Sequence, residues 1–273
     1  MPMVGILPNG GTVSIGHKPG NHQRAKRDIV QGWSARASRG NRAFLWSVVS
    51  EALTGSGYAV TLTVRDCPPT HDHWHRLRRA YFDRLRRAGM IRAHWVTEWQ
   101  RRGVPHLHCA IWMPPEYPQV GLTDSWLASA YVYGAQPRSQ DVRPINGAPG
   151  WFEYLAKHAA RGVRNYQRSP ENIPPGWHKT GRMWGHLGDW PTVDTDRIDI
   201  DWPAFFQYRR SLIRYAIAKA RKQGDLARVR YLRTYLQHSD ADRSRTRGLS
   251  EWAPQETQHR LLAFLQPDQE NQR

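Results

Sequence analysis

Cysteine is almost missing from this chain of 273 residues: only Cys67 and Cys109 occur, which excludes a disulfide framework and a cysteine-rich zinc module. No stretch approaches the roughly 18 uninterrupted apolar residues of a membrane-crossing helix. The opening Met1-Pro2-Met3-Val4-Gly5-Ile6-Leu7-Pro8 also lacks the basic segment and long apolar run of an export signal. A soluble cytoplasmic protein with no membrane partner is the expectation. Internal repeats, a heptad array, a Walker A sequence and a dinucleotide-binding fingerprint are absent as well. Carboxylates are the scarce charge, with 23 Asp and Glu against 40 Lys and Arg, a formal net charge of +17. Such a surface attracts a polyanion, and 13 Trp and 11 Tyr supply rings that can stack on unpaired bases. Nucleic acid is therefore the first partner to consider.

The length suits one catalytic domain with a smaller appendage. Residues 1–41 are expected to form a basic flexible arm, since residues 9–41 are rich in Gly, Ser, Arg and Lys with little apolar periodicity. The catalytic domain is expected over residues 42–201, a basic helical appendage over 202–238 and a polar tail over 239–273. Within the domain, residues 44–53 predict a short helix and the β-branched alternation of residues 58–64 a strand. Residues 71–88 predict a helix with Trp74, Leu77, Tyr81, Phe82 and Leu85 as its apolar stripe. Residues 91–99 and 106–113 predict a hairpin, 126–132 a helix, 140–145 an edge strand and 151–161 a further helix. Residues 165–190 read as a Pro/Gly-interrupted loop. Asp194, Asp196, Asp199 and Asp201 do not fit calcium-loop spacing and read as a solvated edge or linker. Alternating elements of this kind imply an α+β fold, an antiparallel sheet with helices packed on one side.

The hairpin carries the chemistry. A strand repeats every two residues, so His106 and His108 share a face while Leu107 and Cys109 point the other way. With a turn centred near Arg102, Glu98 falls directly opposite His106. Two imidazoles and a carboxylate then converge, which suits a divalent cation with spare positions for a substrate oxygen. The competing account is a polar hairpin face bearing two surface histidines. In the later helix, Tyr154 and Lys157 are three positions apart and emerge on one face, an arrangement equally produced by a core Tyr beside a surface Lys.

Taken together, these features resemble the rolling-circle replication initiator branch of the HUH endonucleases, including the replication-associated proteins of filamentous phages and related plasmids. Residues 58–64 resemble the family's first apolar strand, Glu98 through His108 its metal-binding hairpin, and Tyr154-Leu155-Ala156-Lys157 its nucleophile helix. Gly181-Arg182-Met183-Trp184-Gly185 resembles an element that often follows that helix. The resemblance covers about residues 44–191 and leaves both ends unexplained. It implies a central five-stranded antiparallel sheet and an Mn²⁺ or Mg²⁺ ion held by Glu98, His106 and His108. It further implies nicking and rejoining of single-stranded or hairpin origin DNA through a 5′-phosphotyrosine on Tyr154, assisted by Lys157. Some phage initiators carry a second tyrosine one helical turn later, where this chain has His158, so Tyr154 would act alone. Arg101, Arg102, Arg182, Trp184 and Trp190 are candidate DNA contacts, with surface solubility the competing account for the two hairpin arginines. Without an ATPase motif, unwinding falls to a separate host helicase, with a host DNA polymerase for synthesis. The alternatives are a single-tyrosine transposase, a non-catalytic origin-binding protein and a hydrolase whose nucleophile is water.

Overall fold

The structure, a computed structural model, describes residues 1–16, 29–160, 167–241 and 247–265, with the side chains of residues 156–160 and 239–241 outside the described set. Along the chain the elements are β1 (Met3–Leu7), β2 (Gly10–Ser14), α1 (Ala35–Ser47), β3 (Ser56–Thr63), α2 (His71–Arg87), β4 (Arg92–Trp99), β5 (Pro105–Met113), α3 (Val120–Ala130), β6 (Asp141–Pro144), α4 (Ala148–Ala160), β7 (Trp184–Gly188), β8 (Asp196–Asp199), α5 (Trp202–Lys222), α6 (Leu226–Ala241), β9 (Leu249–Glu251) and α7 (Gln255–Ala263). They group into two compact units, one of residues 24–45 and 50–191, the other of residues 1–23, 46–49 and 192–273.

The first unit is α+β, built on a five-stranded antiparallel sheet in the order β6-β3-β5-β4-β7. Every residue of β4 and β5 is buried, as the middle position of these strands requires. β6 lies at the edge, where Pro144 removes no ladder donor that the sheet needs. On the face bearing Leu107 and Cys109, α2 inserts the expected stripe of Trp74, Leu77, Tyr81, Phe82 and Leu85. Cys109 is fully buried there, a core residue as its strand parity predicts. The indole N–H of Trp126 on α3 donates to the Thr63 carbonyl at 3.0 Å, fixing that helix to β3.

The expectation of helices on one side only is corrected. Phe44 on α1 stacks on His94 at 5.7 Å between ring centroids, and Phe152 on α4 meets Trp112 at 6.1 Å. His94 and Trp112 share strand parity with His106 and His108, so these helices cover the opposite face, leaving its His106 end for the site. The loop predicted over 165–190 supplies a strand as well: β7 pairs with β4 from Arg92 to Val96.

In the second unit, a four-stranded antiparallel sheet has the order β8-β1-β2-β9. Its core joins Val4, Ile6 and Val13 to Phe205, Tyr208 and Leu212 of α5 and to Leu262 of α7. Ile213, Ala216, Ile217, Val229 and Leu232 close a second cluster between α5 and α6. The arm expected over residues 1–41 and the irregular tail over 239–273 are thus corrected at β1, β2, α1, β9 and α7; residues 17–28, 242–246 and 266–273 lie outside the described residues. A two-residue turn at Pro8 and Asn9 pairs Leu7 with Gly10, and Asn9 Nδ2 donates to the Val48 carbonyl at 2.7 Å. Gly10 is required by close approach: a Cβ there would lie 2.0 Å from the Trp46 ring. Asp196 and Asp199 belong to β8, and Asp201 caps α5 by accepting the Ala204 N–H at 2.7 Å.

Candidate metal centre

The β4–β5 hairpin closes through Arg101, Arg102 and Gly103. Gln100 N–H donates to the Val104 carbonyl and Gly103 N–H to the Gln100 carbonyl, both at 2.9 Å, with Gly103 left-handed at φ +70°. This is a three-residue connection in which a turn is followed by a left-handed residue, and it sets the strand register. Glu98 consequently pairs with His106 and Val96 with His108, while on the other side β3 places Thr63 beside His106 and Thr61 beside His108. The alignment of Glu98 with His106 is the one the turn position predicts.

All three side chains are buried, and one ligand atom from each lies within 4.8 Å of the others. His106 Nε2 and His108 Nε2 are 2.7 Å apart, and His108 Nε2 is 3.6 Å from Glu98 Oε2. The far nitrogen of His108, Nδ1, is 2.9 Å from Thr61 Oγ1, a contact that orients the ring and directs Nε2 into the cluster. Two neutral imidazoles and one carboxylate form a donor set able to hold a divalent cation while leaving further coordination positions open. Among the described residues this is the one such group of His, Cys, Asp and Glu.

Glu98 has a partner that sequence spacing does not reveal. Arg168 Nε donates to Glu98 Oε1 at 2.8 Å, with Nη2 2.7 Å from the same oxygen, and neither side chain is exposed. The Trp33 ring covers the guanidinium, whose Cζ lies 3.8 Å from the ring centroid.

Tyr154 occupies the α4 turn above buried Phe152 and Leu155 and is 41% exposed. The Trp151 ring stacks on it at 4.8 Å. Burial raises the phenol pKa above its ordinary value, the negative charges of Glu98 and Asp141 raise it further, and Arg143 opposes them. The phenol is therefore within electrostatic reach of Glu98. Asp141 sits opposite Thr61 and Arg143 opposite Ala59, and their side chains pair at 3.0 Å. The side chains of Lys157 and His158 lie outside the described residues.

Residues 57–161 match the family described as replication-associated protein ORF2/G2P. The chain is 50% identical over 272 residues to a "Putative replication protein" of Xylella fastidiosa strain 9a5c, covering 97% of this chain and 95% of that protein. The chain belongs to the replication-associated, HUH-type family of single-stranded DNA replication initiators. A second "Putative replication protein", from Xylella fastidiosa strain Temecula1, is 49% identical over 260 residues, covering 92% of this chain and 99% of that protein. The replication-associated protein G2P of Pseudomonas phage Pf3 is 49% identical over 255 residues, covering 91% of each chain. No solved structure matches this chain.

Family membership assigns the chain to rolling-circle initiation in general terms, and its His/His/Glu cluster supports a metal-using activity. DNA binding follows from the family, and among the described residues no helix is long and apolar enough to cross a membrane.

The candidate DNA contacts of this family member divide in the structure. Arg101 is exposed at the hairpin tip and Arg182 is exposed before β7. Burial and then the positive charge of Arg182 lower the pKa of His186. Arg102 instead turns back on the segment that follows β3, donating to the Val64 and Arg65 carbonyls and, from Nε, to Gln100 Oε1 at 2.7 Å. Trp184 is half-buried beside Phe44. Trp190 is only 7% exposed, wedged among Phe44, Trp112 and Phe152, which corrects its expected place as a stacking platform. Thr61 and Arg168 are the positions that sequence reading missed. Thr61 carried a signal in its strand parity, whereas Arg168 stands 70 positions from Glu98.

Proposed function

We propose that this protein nicks and rejoins one strand of origin DNA, with Tyr154 as the nucleophile and a divalent cation, Mn²⁺ or Mg²⁺, at Glu98, His106 and His108. The observation that carries this reading is the gathering of Glu98, His106 and His108 on the sheet face against which α4, the helix bearing half-exposed Tyr154, is packed. When bound, the cation polarises the scissile phosphate and offsets the negative charge that grows on its oxygens. The triad side chains hold their places through the strand register, so little reorganisation accompanies substrate binding.

Tyr154 Oη forms a bond to phosphorus as the bond from phosphorus to the 3′ oxygen breaks. The phenol loses its proton and the departing 3′ oxygen gains one, giving a free 3′-OH and a 5′-phosphotyrosine. Because a phosphodiester replaces a phosphodiester, a 3′-OH can later reverse the step without ATP. A phenol ordinarily near pKa 10 is mostly protonated at neutral pH and needs assistance. Lys157, one turn along α4, is assigned that electrostatic role. Arg101, Arg182 and Trp184 are assigned to the DNA path, where arginines contact phosphates and a partly open indole supports a base. The reaction takes place in the cytoplasm, with helicase and polymerase supplied by the host.

The test uses 5′- and 3′-labelled single-stranded origin fragments incubated with Mn²⁺, Mg²⁺ or EDTA, beside Tyr154→Phe, on denaturing gels. A metal-dependent protein adduct on the 5′ end of the downstream fragment, lost in Y154F, is expected. Cleavage without an adduct would transfer the role to a water nucleophile. Binding without cleavage on a verified origin would make this an origin-binding protein.

A further inference from the structure

We propose that Arg168 is the positioning residue of the metal centre, holding Glu98 so that it presents a single carboxylate oxygen to the cation. The inference rests on the metal-binding part of the proposed function and is independent of the tyrosine chemistry.

The geometry of the pair is asymmetric. An arginine fork commonly places one N–H on each oxygen of a carboxylate. Here Nε at 2.8 Å and Nη2 at 2.7 Å both approach Oε1, while Oε2 is on the side of His108 Nε2, 3.6 Å away. One oxygen is retained by the guanidinium and the other is turned toward the imidazoles. A carboxylate held in this way contributes one ligand atom, which leaves coordination positions open for phosphate and water.

The guanidinium is itself fixed from several directions. The Trp33 ring covers its flat face, and the Trp33 indole N–H donates to the Thr97 carbonyl at 2.9 Å, tying this cover to β4. The carbonyl of Gln167 accepts the Trp99 N–H at 2.8 Å, so the chain next to Arg168 is bonded to the residue next to Glu98. Both charged side chains are fully buried, where ionic groups persist only with close partners. Arg168 thus acts on the metal through Glu98 and has no need to touch the substrate.

The decisive variant is Arg168→Lys, which retains a positive charge opposite Glu98 but not two N–H groups in one plane. The full chain, without DNA, is titrated with Mn²⁺ by calorimetry and with Co²⁺ by visible absorption, whose intensity reports coordination number. His108→Ala serves as the ligand-loss control, and circular dichroism checks the fold. In folded R168K, Mn²⁺ affinity is expected to fall by about 10- to 100-fold, the range usual for groups supporting a metal ligand. The Co²⁺ spectrum is expected to change as Glu98 shifts its mode of binding. Wild-type affinity together with a wild-type Co²⁺ spectrum in R168K would overturn the positioning role. Failure of the wild-type chain itself to bind either ion would instead defeat the metal-centre reading on which it rests.

Discussion

Replacing Thr61 with valine isolates the contribution of one hydrogen bond to the metal centre. Valine keeps the branched shape that suits β3, where position 61 pairs with His108 on one side and Asp141 on the other. What disappears is Oγ1, the atom 2.9 Å from His108 Nδ1. A single intramolecular hydrogen bond contributes about 1 kcal/mol to stability, so T61V should melt about 2–4 °C lower in a unit of this size. The effect on metal should be proportionally larger, because the ring can then rotate away from the point shared by His106 and Glu98. Loss of a group supporting a metal-binding histidine weakens affinity by about 10- to 100-fold, and the lower end is expected here because β5 still holds the backbone of His108. Mn²⁺ titration by calorimetry measures this directly, with Thr61→Ser restoring the hydroxyl as the control. An unchanged Mn²⁺ affinity in T61V, or a loss in T61S as large as in T61V, would refute the orienting role.

Asp141→Asn removes a negative charge that keeps the Tyr154 phenol protonated, so the rising limb of the pH–nicking profile should move to lower pH. Arg143→Ala removes an opposing positive charge and should move the limb to higher pH, a pair of opposite shifts that single-turnover rates across the alkaline range would resolve. Phe152→Ala empties a fully buried site under the Tyr154 helix and should cost about 3–5 kcal/mol in a urea denaturation, with the Tyr154 adduct lost in parallel. Gly103→Ala meets no atom within 4 Å, so its cost is the left-handed backbone alone, about 1–2 kcal/mol, and Gly103→Asn should recover much of it.

The metal hairpin was legible because each of its determinants is local. Alternation put His106 and His108 on one face, and a three-residue connection ending at Gly103 placed Glu98 opposite His106. The α2 stripe was legible for the same reason, its spacing being set by one helix. Arg168 was not, since it lies in a segment without periodicity and is brought to Glu98 by a long-range contact, beside the bond from the Trp99 N–H to the Gln167 carbonyl. Trp190 misled in the opposite direction. An indole among glycines suggests a surface ring, but Phe44, Trp112 and Phe152 come from α1, β5 and α4 to enclose it. The hairpin at the start of the chain was obscured by composition, because Gly10 and Gly11 are chosen for close contacts rather than for strand propensity.

The strand order β8-β1-β2-β9 also fixes a timetable for synthesis. Val4 is paired with Ile198 and Val13 with Leu249, so the β1–β2 hairpin completes its sheet with strands that are synthesised long after it. At about 5–20 residues per second, β2 waits on the order of ten to fifty seconds for β9. All the strands of the five-stranded sheet emerge within that interval, between Ser56 and Gly188. A nascent chain interrupted between Gly188 and Asp196 would have every strand of the metal-bearing sheet but would leave Val4, Ile6 and Val13 without their later partners. The hairpin edges would then be open to pairing with other nascent chains, which makes premature termination a route to aggregation even when the site residues have all been made.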